Sequence, residues 1–240
     1  MPHSAMMDTP SPHTLSQPQA LLFDMDGVLV DSEALHWETV GDVLRDHLGS
    51  AAPVLPPRVG WGDHELWEEL RVRFDLEGSA AELTAERGVW ALKRIALTPP
   101  PPMPYALETL RRWRQNAPNL PMVVVSASPK DQIVQSLIHY RDHLGELLFD
   151  AYVSGVDDVA RNKPDPAPYR AAISNLGLTP SACWISEDSS TGLTAALGSG
   201  AQVIAVGAHS ASHSLIERCQ LNVNSLDVLY DVWHALTPRV

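Results

Sequence analysis

Short, wholly apolar runs alternate along this chain with stretches of helical periodicity. Ala20–Phe23, Met122–Val125, Ala151–Val153, Cys183–Ile185 and Val203–Val206 carry almost no polar residue. A strand with one face in water alternates polar and apolar positions, whereas a strand covered on both faces does not. These five segments therefore read as strands of a parallel sheet with layers on both sides. Between them, Tyr105–Asn116, Asp131–His139, Pro166–Leu176, Gly192–Gly198 and Ser212–Cys219 read as helices, with Ser225–Ala235 as a terminal one. The alternation predicts an α/β, doubly wound sheet.

One region breaks the rhythm. From about Glu33 to Leu97 the periodicity is helical throughout, with candidate helices over Ala34–Leu48, Asp63–Phe74 and Ala80–Leu97. Thr98–Pro104, TPPPPMP, then cannot be helix and forms a stiff connector. A helical insert after the first strand, closed by a proline linker, reads as a small cap. The predicted division is a core of residues 19–33 and 100–240, a cap of residues 34–99, and a disordered tail of residues 1–18.

Composition narrows the function classes. Hydrophobic residues are 45% and charged residues 19% of the 240, ordinary values for a globular protein. No apolar run approaches the ~20 residues of a membrane span. The first 18 residues lack the basic start and apolar centre of a signal peptide. A net charge of −12 disfavours nucleic acid, whose binding needs a Lys/Arg patch. Cys183 and Cys219 are far apart and form neither a CxxC nor a disulfide framework; a reducing cytoplasm fits them.

The chemistry concentrates at strand ends. Ala-Leu-Leu-Phe stops at Asp24, and Asp26 and Gly27 follow. Ser126 follows Met-Val-Val-Val, Lys163 lies in RNKPDP after the third strand, and Glu187-Asp188 follow Trp-Ile-Ser. Ligands of open α/β sheets bind beyond the carboxyl ends of strands. Asp24 and Asp188, converging there, make an all-oxygen site for a hard cation, with Mg²⁺ the expected cofactor. Beside such a cation Asp24 can attack phosphorus, and Asp26, two residues on, can protonate the leaving oxygen and then activate water. Ser126 and Lys163 are placed for the phosphoryl oxygens. Gly27 permits the tight turn that carries the chain away, and backbone N–H groups near Gly192 help shape the site.

Four segments, FDMDGVLVDSE, VVVSAS, KPDP and ISEDSSTG, occur in an order that resembles the haloacid dehalogenase superfamily, in its β-phosphoglucomutase-like branch of phosphatases. The likeness covers about residues 20 to 207. It implies a Rossmann-like, mostly parallel core with a small all-helical cap and a Mg²⁺-dependent phosphatase working through an aspartyl-phosphate. By motif position Asp24 is the nucleophile and Asp26 the general acid/base. The metal ligands would be Asp24, Asp26 through its backbone carbonyl, and Asp188, with Glu187 in or next to the metal shell. Ser126 and Lys163 bind phosphate, and Ala127 and Gly27 are counted with them. His36, Trp61 and Lys130 are candidate substrate or cap contacts. The expected partner is a small phosphorylated metabolite of the sugar or polyol phosphate class, and the expected state is a monomer.

Two departures matter. Mutases of that branch carry an arginine where this chain has Asp63, which repels phosphate, so a phosphatase is favoured over a sugar-phosphate isomerase. Pro129 stands before Lys130. A non-catalytic binding protein on the same fold is the third alternative. An EF-hand is excluded because Val28 and Leu29 stand where ligands and the turn should be. Arg87, Arg94, His47, His139 and His143 read as surface helix positions.

Overall fold

The computed structural model describes residues 15–56, 63–141, 144–208 and 211–237. Six strands form one parallel sheet: β1 (Ala20–Phe23), β2 (Met122–Ser126), β3 (Ala151–Ser154), β4 (Cys183–Glu187), β5 (Gln202–Val206) and β6 (Leu221–Val223). Their order is β3-β2-β1-β4-β5-β6. The chain order reverses at β1, which lies between β2 and β4, so the crevice of this doubly wound sheet opens at the end of β1.

The uniformly apolar strands are buried on both faces because two helical layers cover them. Successive side chains of a strand point to opposite faces. Leu21 and Phe23 of β1 join Val124, Trp184 and Ile204 in one core. That core is closed by Leu110 and Trp113 of α4 (Ala106–Asn116) and Leu229 and Trp233 of α9 (Leu226–Leu236). Ala20 and Leu22 join Val123, Ile185 and Val203 in the other. Tyr169 and Ile173 of α6 (Ala167–Asn175) and Leu193 and Ala196 of α7 (Ser190–Ser199) close that one.

The insert builds a third core of its own. Helices α1 (Glu33–Leu48), α2 (Asp63–Phe74) and α3 (Ala80–Leu97) bury Val43, Leu44, Trp67, Leu70 and Leu83 against one another. Ser79 and Glu82 form a reciprocal capping box that starts α3, satisfying donors that a helix start leaves open. The two connectors to the sheet pair with each other: Asp31 N–H donates to Pro101 O at 2.9 Å and Met103 N–H to Leu29 O at 2.7 Å. The insert also touches α5 (Lys130–Ser136), where Gln132 Nε2 donates to the Gly88 carbonyl at 3.0 Å.

Four sequence expectations shift. β6 is a three-residue edge strand with an exposed central Asn222, too short and polar to read as a run. The expected helix Asp131–His139 ends at Ser136, followed by a 3-10 turn over Ile138–Tyr140, and Ser212–Cys219 contracts to α8 (His213–Ile216). Leu15 to Pro18, the end of the expected tail, belong to the fold. Ser16 N–H donates to Gln202 Oε1 at 2.7 Å, Trp184 Nε1 donates to Ser16 O at 2.9 Å, and Leu15 packs on the first core. The rest of that tail, residues 1–14, lies outside the described residues. Among the described residues no helix is long and apolar enough to cross a membrane.

Candidate active site

β1 ends at Phe23, but its ladder runs one residue further: Asp24 N–H donates to Ser186 O at 2.9 Å. That bond fixes Asp24 beside the end of β4, where Glu187 is the last strand residue and Asp188 the first beyond it. One carboxylate oxygen each from Asp24, Glu187 and Asp188 lies within 4.8 Å of the others. Lys163 arrives from the loop after β3. Its Nζ lies 2.5 Å from Asp24 Oδ1, 2.8 Å from Glu187 Oε1 and 2.8 Å from Val125 O. Asn162 braces that loop, its Nδ2 donating to Ala127 O at 2.9 Å.

Three carboxylates thus face one ammonium in a buried space. Burial first, then the charge of Glu187 and of Asp188 and Asp26, push the Asp24 pKa well up, against the opposing pull of Lys163. Burial, Glu187 and Asp26 push Asp188 up to about 7. Burial would lower Lys163, but Asp24 and Glu187 overcome it and hold the ammonium charged. The three carboxylates are not equally provided for. Glu187 Oε1 accepts from Lys163 and from the Tyr169 hydroxyl, and Oε2 from the Asp188 and Ser189 N–H groups at 3.1 and 3.4 Å. Asp188 Oδ1 is buried and, among the described residues, has no hydrogen-bond partner. A bare buried carboxylate oxygen is costly, and Asp24, Glu187 and Asp188 together could hold a metal ion.

Two glycines make the crowding possible. A Cβ on Gly27 would fall 2.1 Å from Asp188 Oδ2, and one on Gly192 1.9 Å from Glu187 Oε1. Gly27 also has φ +80°, a region L side chains rarely adopt. Its N–H donates to Val30 O at 2.9 Å, so the expected phosphate contact from this residue gives way to a turn bond and to room for Asp188. Gly192 likewise gives its N–H to the Ser189 hydroxyl that caps α7, at 3.0 Å.

Asp26 faces the insert. Ser32 Oγ donates to its Oδ1 at 2.5 Å, and His36 Nε2 lies 3.8 Å from the same oxygen. His36 Nδ1 is 2.7 Å from Arg87 Nη1. A guanidinium only donates, so Nδ1 accepts and the ring proton sits on Nε2, toward Asp26. Ser126 is buried at the end of β2, its Oγ accepting the Ser128 N–H at 3.1 Å. Lys130 is turned away: its Nζ pairs with Asp158 Oδ1 at 2.5 Å, and that acid satisfies the charge expected to meet substrate. Trp61 and His143 lie outside the described residues.

Two residues of the site escape a reading of the sequence. Arg87, a surface helix position by periodicity, reaches His36 from α3. Tyr169 carries a fainter signal: Pro168, Tyr169, Ala172 and Ile173 mark the buried face of α6, and a buried phenol needs a hydroxyl partner.

Comparison with known proteins meets this geometry. The family model described as haloacid dehalogenase-like hydrolase matches residues 18–200. The chain belongs to the haloacid dehalogenase-like hydrolases. It is 33% identical over 187 residues to the validoxylamine A 7'-phosphate phosphatase of Streptomyces hygroscopicus subsp. limoneus, covering 75% of this chain and 81% of that one. It is 29% identical over 200 residues to a phosphorylated carbohydrates phosphatase of Thermotoga maritima, covering 80% and 86%. The fold superposes on the crystal structure of a predicted phosphoglycolate phosphatase from Haemophilus somnus 129pt with a TM-score of 0.73 at 17% identity, covering 91% and 99%. This haloacid dehalogenase-like enzyme is therefore a hydrolase, with the carboxylate cluster at the strand end where the order of its sheet reverses.

Proposed function

We propose that the protein is a Mg²⁺-dependent phosphatase of a small phosphorylated metabolite, in the sugar or polyol phosphate class, working through an aspartyl-phosphate on Asp24. The observation that carries this reading is the bare Asp188 Oδ1 inside a cluster of three carboxylates and one lysine. An all-oxygen donor set suits a hard divalent cation. Asp24, Asp188 and the Asp26 backbone carbonyl would hold it, and it would neutralise the cluster and the charge on phosphate. The substrate class is supported by the named activities of the Thermotoga and Streptomyces relatives.

The residues divide the work. Asp24 is the nucleophile at phosphorus, with Lys163 bound at its Oδ1. Lys163 and Ser126 hold phosphoryl oxygens and stabilise their developing charge. Asp26 protonates the departing alcohol, then takes a proton from the water that attacks phosphorus in the aspartyl-phosphate and returns Asp24 as a carboxylate. His36, with its Nε2–H directed at Asp26, and Ser32 orient that acid. The helical insert acts as a cap that excludes bulk water and selects the leaving group. We read the enzyme as a cytoplasmic monomer, a setting supported by the free thiols of Cys183 and Cys219.

The test is a phosphate-release screen over sugar, polyol and nucleotide phosphates. Release that requires Mg²⁺ and favours a sugar or polyol ester is expected. Formation of an isomeric sugar phosphate in a bisphosphate-primed assay, with no free phosphate, would overturn the reading.

A further inference from the structure

Tyr169 is a fully buried phenol that no step above uses. It lies in the first turn of α6 and packs with Ala172 and Ile173 against the sheet. A phenylalanine would fill that core equally well. Its hydroxyl instead makes both of its bonds inside the carboxylate cluster: it lies 2.7 Å from Glu187 Oε1 and 3.0 Å from Lys163 Nζ. An ammonium only donates, so the phenol oxygen accepts from Lys163 and gives its single proton to Glu187. The ring also sits under the charge, with Lys163 Nζ 4.7 Å from its centroid.

Lys163 has three protons and four acceptors: Val125 O, Tyr169 Oη, Glu187 Oε1 and Asp24 Oδ1. The first three come from β2, α6 and β4, at 2.8, 3.0 and 2.8 Å. The fourth is the nucleophile, where a phosphoryl group would arrive. We propose that Tyr169 is a positioning residue for this reaction. Its hydroxyl ties Lys163 and Glu187 into one triangle, so that the ammonium stays at Asp24 instead of collapsing into a two-body ion pair with Glu187. The inference rests on the phosphatase reading above. Without the hydroxyl Glu187 Oε1 loses one of its two donors and draws the lysine toward itself.

The test is Tyr169→Phe, which keeps the ring and removes one oxygen. Three quantities are read with Mg²⁺ present: kcat and KM on the best ester, the inhibition constant of inorganic phosphate, and the melting temperature. A fall in kcat and a weakening of phosphate inhibition, each by about tenfold, are expected from losing one hydrogen bond to a charged group. Melting should stay within a few degrees of wild type. Unchanged kcat and phosphate inhibition overturn the proposal, as does a loss of activity that only tracks the unfolded fraction. For a Tyr169→Phe chain that does not fold, Glu187→Gln alone replaces it: phosphate inhibition should weaken by about tenfold, and unchanged inhibition overturns the triangle. With both variants folded, a double-mutant cycle adds the Glu187→Gln background, whose neutral amide removes the charge the hydroxyl serves. In that background Tyr169→Phe should change phosphate inhibition by less than about threefold; an equal loss in both backgrounds counts against a role through Glu187 and Lys163. Wild-type enzyme that releases phosphate but is indifferent to Tyr169→Phe rejects the positioning role alone. Wild-type enzyme that releases none rejects the phosphatase reading beneath it.

Discussion

Two charged clusters in this molecule use the same chemistry to opposite ends. In the helical insert, buried Asp42 of α1 accepts hydrogen bonds from Arg45 and Arg94, and Arg94 also reaches Glu38 at 2.5 Å. Two cations there face one buried acid and one exposed acid. Burial would raise the Asp42 pKa, but hydrogen bonds from Arg94 and Arg45 outweigh it and hold the carboxyl below its ordinary value. At the end of β1, three acids face one lysine, and Asp24 and Asp188 are driven upward. The first cluster is balanced within itself and joins α1 to α3. The second is left with an excess of negative charge, the imbalance that the proposed cation would neutralise. Charge balance separates the two more sharply than burial does, since both contain buried carboxylates.

The largest expected effect falls on the second cluster. Asp24→Asn should lower kcat by at least about a thousandfold, since a nucleophile cannot be replaced by its amide. Its circular dichroism should match wild type. Substantial turnover in that variant would move the nucleophile elsewhere.

Removing divalent cations with a chelator should expose the charge imbalance as a pH effect on stability. The native Asp188 carboxyl keeps its proton up to about 7, whereas an unfolded aspartate loses it near ~3.9. Between those values the native state binds more protons, so stability should fall as pH rises. Added Mg²⁺ should restore the melting temperature at the alkaline side. A flat profile in chelator, with no Mg²⁺ effect, would break the contrast between the clusters.

Gly27→Ala puts a methyl group on Asp188 without changing any charge. A displacement of that carboxylate by about 1 Å is expected to cost about a hundredfold in kcat/KM and to weaken Mg²⁺ in titration calorimetry. Arg94→Ala should do the reverse. It should lower stability by about 2 kcal/mol in denaturant melts, as loss of a charged donor to a buried carboxylate does, and leave kcat close to wild type. The smallest effect is expected for Glu38→Gln, a largely exposed partner, at under about 1 kcal/mol. Arg94→Ala with full stability and lost activity would reverse the roles assigned to the two regions.

Much of this architecture was written in local patterns. Apolar runs covered on both faces announce a parallel sheet before any contact is known, and the three insert helices fall almost where 3.6-residue periodicity puts them, because each buries one stripe on its neighbours. Asp24, Asp26, Lys163 and the Glu187-Asp188 pair were legible as polar residues interrupting strand ends. What the chain order could not express is distance. Lys163 meets Asp24 across 139 positions, Tyr169 closes on Glu187 from a helix, and Arg87 reaches His36 from the opposite helix of the insert. Lys130, a plausible partner by spacing, spends its charge on Asp158. Residue types and periodicity fix which side chains want burial, pairing or water. Only the packed sheet decides which charges end up within a few ångströms of each other, because electrostatic energy depends on separation in space and on the water that folding excludes.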